Sequence, residues 1–193
     1  MNILLLGLVL FLGAHSLRIV ADDWRERRIA QFGILLWKAG YSLVSIAGLL
    51  MIIYGYGAAR GTSATVYAPP GGLQLLALVL MLPALILLVA AYVPQTRIKA
   101  VVAHPMLLSV KIWALAHLLA NGRVVDLLLF GTFLLWAVFG YRSAKIRDRA
   151  AGTRYVAGPW LRDALAIAVG ALLWFGFVFG LHGWLTGVPL QPA

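Results

Sequence analysis

Residues 104–126 read HPMLLSVKIWALAHLLANGRVVD. From Pro105 to Ala120 this stretch is apolar enough to enter a bilayer, and Asn121-Gly122 ends it with a tight turn signal. It nevertheless carries His104, Lys111 and His117. An ionisable side chain in hydrocarbon is costly and by default marks a functional site. The rest of the chain reads as the scaffold that sets this segment into lipid.

Composition supports that reading. The 193 residues are 63% hydrophobic and only 11% charged, with a mean hydropathy of +0.94, whereas soluble domains carry about 25% charged residues. The fold class expected is all-α: a polytopic transmembrane helical bundle. It forms one domain over residues 1–193, because spans of about 20 residues leave no length for a second. Six spans are predicted, at Asn2 to Val20, Trp37 to Tyr56, Leu73 to Tyr92, Pro105 to Ala120, Val124 to Tyr141 and Leu161 to Leu185. The charged stretch ADDWRERRIAQFG (residues 21–33) reads as a connection. The first span begins at Asn2 without a basic segment before it, the pattern of an uncleaved helix rather than a secretory signal.

The net charge of +10 could be read as a nucleic-acid surface. Its distribution points to topology instead. Arg18, Arg25, Arg27, Arg28 and Lys38 follow span one, Arg97 and Lys99 follow span three, and Arg142 through Arg162 follow span five. The opposite connections offer only Arg60 and Arg123. The positive-inside rule then puts three basic loops in the cytoplasm and both termini on the periplasmic side of a bacterial inner membrane. No nucleic-acid partner is expected; the bilayer is the first partner.

The same inventory narrows the chemistry. There is no cysteine, so thiolate nucleophiles and Cys-based metal sites are excluded, and Glu26 is the sole glutamate, which disfavours a paired-carboxylate di-iron centre. Asp126 reads as an acidic residue complementing a helix start. Pro83 is expected to kink span three, and Gly176-x-x-x-Gly180 offers a weak close-packing motif in span six.

Four histidines remain: His15, His104, His117 and His182. A neutral imidazole can ligate a metal or haem, carry a proton, or simply fill its hydrogen bonds in a core. At 100° per residue, His104, Leu108 and Lys111 share one face of their helix, a basic stripe suited to an anionic group or to a snorkelling lysine. His117 is turned from that face by roughly 140° and groups with Trp113 and Asn121. It is the strongest single ligand candidate. By depth, His15 would pair with His104, and His117 with His182.

The span-four segment together with FLGAHSLRI, WKAGYSLVSIAGL and MLPALILLVAAYVP resembles the NnrU family of bacterial inner-membrane proteins over essentially the whole chain. That resemblance implies an association with nitrite and nitric oxide reduction in denitrifiers, with partners related to those reductases. The family is in turn similar to the 15-cis-zeta-carotene isomerases, which bind haem b through two histidines. Carried over by motif, the implied haem-iron ligands are His15 and His117. The cysteine that the isomerases place three residues before the second histidine is Ala114 here, so a ligand switch using it is absent. The resemblance leaves open a redox-linked enzyme, a haem-dependent cis-trans isomerase of a lipophilic polyene substrate, and a non-catalytic assembly factor. His104, Lys111, Trp113, Asn121 and His182 stand as secondary candidates. The His-Pro element also resembles isoprenylcysteine carboxyl methyltransferases, but those carry a late Arg and paired Glu, and no Lys or Arg follows Arg162 here.

Overall fold

A computed structural model describes residues 1–188 and 190. The long helices are α1 (Asn2–Val20), α3 (Ile34–Arg60), α4 (Gly71–Tyr92), α6 (Pro105–Ala120), α7 (Val124–Ala150) and α8 (Leu161–Gly176); short helices α2 (Asp22–Phe32), α5 (Arg97–Val102) and α9 (His182–Thr186) lie between and after them. Five segments are long and apolar enough to cross a membrane, the last of them running Leu161–Thr186, against the six expected; α6, at 16 residues, is a shorter apolar helix. No strand occurs among the described residues. Within lipid an α-helix satisfies its own backbone groups, which is why an apolar chain of this kind takes that form.

Helix packing runs α3, α1, α7, α6, α4, α8 across the bundle, so chain neighbours are not always spatial neighbours. Small residues decide the first contact. A Cβ added at Gly48 would lie 2.7 Å from the Phe11 backbone nitrogen, and one at Gly7 would lie 2.7 Å from that of Ile52. The α1 and α3 backbones therefore touch directly, which side chains larger than hydrogen would prevent. Gly176-x-x-x-Gly180, the sequence candidate for such packing, does not play that part: a Cβ at Gly180 would meet nothing within 4 Å.

Pro83 lies inside an unbroken α4. Neighbouring helices donate to carbonyls on either side of it: Ser109 Oγ to the Ala84 carbonyl at 2.7 Å and Trp174 Nε1 to the Leu78 carbonyl at 2.9 Å. Large apolar residues such as Leu35 (80% exposed) and Leu172 (70%) face outward, as a lipid-facing surface requires.

Several boundaries differ from expectation. Residues 22–32, expected as a connection, form α2, with no buried residue. Asp22 and Asp23 at its start complement the helix dipole, while Trp24 and Phe32 supply an apolar side, so a charged segment forms an amphipathic helix rather than a loop. Helix α7 runs nine residues past Tyr141, carrying Arg142, Lys145, Arg147 and Arg149 beyond the apolar stretch. The basic connections meet: Arg147 Nη1 donates to the Arg18 carbonyl (3.1 Å), and the Asp163 carboxylate accepts from the Arg97 and Ile98 amides at 3.2 and 3.0 Å.

The opposite end is closed by the 61–70 loop, which lies against the Asn121-Gly122 turn. Val66 N and Tyr67 N both donate to the Gly122 carbonyl, at 2.8 and 3.2 Å, and Tyr67 Oη donates to the carbonyls of Leu118 and Asn121. Asp126, 2% exposed, accepts from Arg123 N at 3.0 Å and from Tyr56 Oη at 2.7 Å. It caps α7 and ties that helix to α3.

Candidate functional site

His117 sits one turn before the end of α6. Its Nδ1 is 2.9 Å from the Trp113 carbonyl, and Asn121 Nδ2 donates to the His117 carbonyl at 3.0 Å. A carbonyl oxygen can only accept, so Nδ1 carries a proton and, in the neutral imidazole, Nε2 keeps the lone pair. The imidazole packs beside Phe130 (ring centroids 4.6 Å apart) and Trp113 (5.2 Å). This is the arrangement usual for a metal-ligating histidine: one nitrogen fixed by a backbone carbonyl, the other free to bind.

His182 reaches the same place by a different route. The helix that begins as α8 is kinked at Gly180, whose φ of 169° and ψ of −41° are not helical, before α9 begins at His182. The break at this glycine turns the chain off the α8 axis and so sets where His182 lies. The His182 ring stands 6.5 Å, centroid to centroid, from that of His117, with the planes 30° apart. Its Nδ1 is 2.7 Å from the Val188 carbonyl, so in the neutral imidazole Nε2 carries the lone pair. Thr186 Oγ1 donates to the His182 carbonyl at 2.7 Å.

His15 is elsewhere. It stacks on Phe11 (4.2 Å), lies 5.1 Å from Tyr41 and 6.0 Å from Trp136, and its Nδ1 meets the Phe11 carbonyl at 2.7 Å. Its own Nε2 therefore also carries a lone pair. The ring contacts leading from His15 to His117 pass through Phe11, Phe133 and Trp113, with centroid steps of 5.8 Å and 5.5 Å between those three. Along α7, Trp136 lies beside His15 and Phe130 beside His117, a separation of about 9 Å at 1.5 Å per residue. To share one iron, His15 and His117 would require those intervening rings to swing aside. The structure brings His117 to His182 and leaves His15 lining a cavity of about 300 Å³ with Tyr41, Trp37, Arg18, Arg25 and Lys38.

The His104–Lys111 stripe resolves into local contacts. His104 Nε2 is 2.8 Å from Asp148 Oδ2, an ion-pair contact without the alignment of a hydrogen bond. Tyr155 Oη donates to both carboxylate oxygens of Asp148, at 3.2 and 3.1 Å. Partial burial and that adjoining carboxylate push the Tyr155 phenol above its ordinary pKa. Lys111 Nζ lies 5.0 Å from the centre of the Tyr141 ring, a cation–π contact. Sequence reasoning missed Asp148 and Tyr155, which lie more than 40 residues downstream on another helix and the loop after it; no local spacing signals them.

No group of three or more His, Asp or Glu able to hold a metal ion occurs among the described residues. The donor set offered is a pair of imidazoles, which suits a metal whose other positions are filled by a macrocycle.

The NnrU protein family model matches residues 3–190. No curated protein and no solved structure matches the chain. The chain belongs to the NnrU family and is a membrane protein of that family.

Proposed function

We propose that this NnrU-family membrane protein binds haem b near one end of its bundle, where His117 and His182 would hold it. One observation carries the reading: two imidazoles 6.5 Å apart, each with Nδ1 held by a backbone carbonyl and Nε2 left free. Two imidazoles at this spacing, each with a free ring nitrogen, would hold the iron. The residues around the pair fix orientation rather than supply charge. Trp113 and Val188 set the tautomers, Phe130 and Trp113 exclude water, and Asn121 closes the helix end behind His117.

Haem bound there would supply one-electron chemistry, and the absence of cysteine removes a thiolate ligand. The family assignment supports a place beside nitrite and nitric oxide reduction in a bacterial inner membrane. The positive charge gathered at the far end of the bundle supports periplasmic termini and a site on the periplasmic side. The family motif favours His15 as the second ligand; proximity favours His182.

Optical spectra of the protein from haem-replete cells decide between them. The expected result is a low-spin haem b spectrum that His15→Ala leaves intact, His117→Ala abolishes and His182→Ala converts to a high-spin form. Colourless wild-type protein overturns the haem reading. Loss of the band in His15→Ala with retention in His182→Ala overturns the ligand assignment alone.

A further inference from the structure

At the opposite, basic end, α1, α2 and α3 enclose two adjoining grooves that the histidine pair does not use. The first is the cavity of about 300 Å³ walled by Arg18, Arg25 and Lys38. The second, of about 590 Å³, is lined by Val9, Leu10, Leu36 and Val44, with Trp24 and Arg28 at its mouth. Ala14, Leu17, Trp37 and Tyr41 belong to both, so the two are continuous. Trp24 and Trp37 pack edge to face at 5.9 Å beside the junction, and Arg28 lies over Trp24 at 5.5 Å.

Charge and shape together specify a two-part ligand. Four cations surround the grooves, and among the described residues only Asp22 answers them, at 3.4 Å from Arg25 and 4.0 Å from Arg18. Lys38 and Arg28 make no ion pair among the described residues. The apolar groove runs along the lipid-facing sides of two spanning helices, where a soluble anion would leave it unfilled. Basic pockets between membrane helices are sites for anionic lipid head groups, and aromatic residues such as Trp24 and Trp37 favour that depth.

We propose that this double groove binds one anionic phospholipid, its phosphate among Arg18, Arg28 and Lys38 and an acyl chain along α1 and α3. Helix α2 then acts as an interfacial clamp over the head group, which explains an eleven-residue amphipathic helix with no buried residue. The site stands apart from His117 and His182; His15 lines its basic cavity, so the haem content of the cation variants is read alongside lipid retention.

Native mass spectrometry of the full chain, reconstituted with phosphatidylglycerol or phosphatidylcholine, tests it. One phosphatidylglycerol should survive detergent removal where phosphatidylcholine does not. Replacing two head-group cations in Arg28→Gln/Lys38→Gln should weaken retention about thirtyfold, which at 1.4 kcal/mol per tenfold is about 2 kcal/mol. Arg142→Gln/Arg149→Gln, at the same end but outside the grooves, should not. Gly13→Leu offers a charge-neutral variant: Gly13 lines the apolar groove and a Cβ there meets nothing within 4 Å, so the leucine fills the groove without straining the fold. It too should lose the lipid. Equal retention of both lipids, or equal loss in the control variant, reduces the effect to diffuse surface charge and overturns the proposal. Displacement by inorganic phosphate alone, or haem loss in Arg28→Gln/Lys38→Gln, assigns the cavity to another anion and overturns it as well.

Discussion

Replacing Asp126 by alanine tests how the end of the bundle next to His117 is held. The carboxylate is 2% exposed and accepts two bonds, from Arg123 N (3.0 Å) and Tyr56 Oη (2.7 Å). Loss of an acidic helix cap costs about 1 kcal/mol. A hydrogen bond to a charged group in water-soluble proteins is worth about 1.5–3 kcal/mol, but interhelical bonds measured in a membrane bundle average about 0.6 and reach about 1.7. Because this one involves a carboxylate close to the end of the spans, the upper membrane value applies, about 1.5 kcal/mol. Asp126→Ala should therefore destabilise by roughly 2.5 kcal/mol, a shift of nearly two decades in the folding equilibrium. Tyr56→Phe removes one of the two bonds and should cost about 1.5 kcal/mol, and the double variant should fall short of the sum by about the same 1.5 kcal/mol, because both changes remove one bond. Reversible unfolding in mixed micelles, titrated with denaturing detergent and followed by circular dichroism, reads all three. A change under about 0.5 kcal/mol in Asp126→Ala, or strict additivity in the cycle, would refute the view that this carboxylate joins α3 to α7.

Gly48→Val should cost about 2–3 kcal/mol, because the added atoms meet the Phe11 backbone and α1 must move as a unit; Gly13→Ala, with open space at its Cβ, is the near-neutral control in the same unfolding assay. Ser109→Ala frees the Ala84 carbonyl beside Pro83 and should cost about 0.6 kcal/mol; a loss several times larger would mean that the bond also props the α4 path. Tyr155 binds its proton more tightly in the folded chain than in the unfolded one. Its contribution is complete below the ordinary tyrosine pKa and is lost as pH rises through the folded value, so Tyr155→Phe should flatten the alkaline limb of a stability–pH curve.

The main features of the fold are visible in particular residues before any packing is considered. Apolar runs separated by Pro69-Pro70, by Asn121-Gly122 and by arginine-rich stretches mark the spans, because in lipid a helix is dictated by local composition and length. Pro105 starts α6 and Asn121 ends it where the sequence places them. Helix α2 was hidden because its signal is two-faced: a charge-dense segment with three scattered apolar residues reads as a loop unless the membrane surface is counted as a partner.

What local sequence alone determined is the helical class, the placement of the spans, and the isolation of His117 from the His104–Lys111 face, all consequences of hydropathy and a fixed angle per residue. What only tertiary structure decided is which side chains meet. His117 meets His182 beyond a kink at Gly180, His104 meets Asp148 because α7 runs on past the apolar stretch, and α1 meets α3 through Gly7 and Gly48. Those contacts join residues tens of positions apart, and helical periodicity has no term that relates one helix to another.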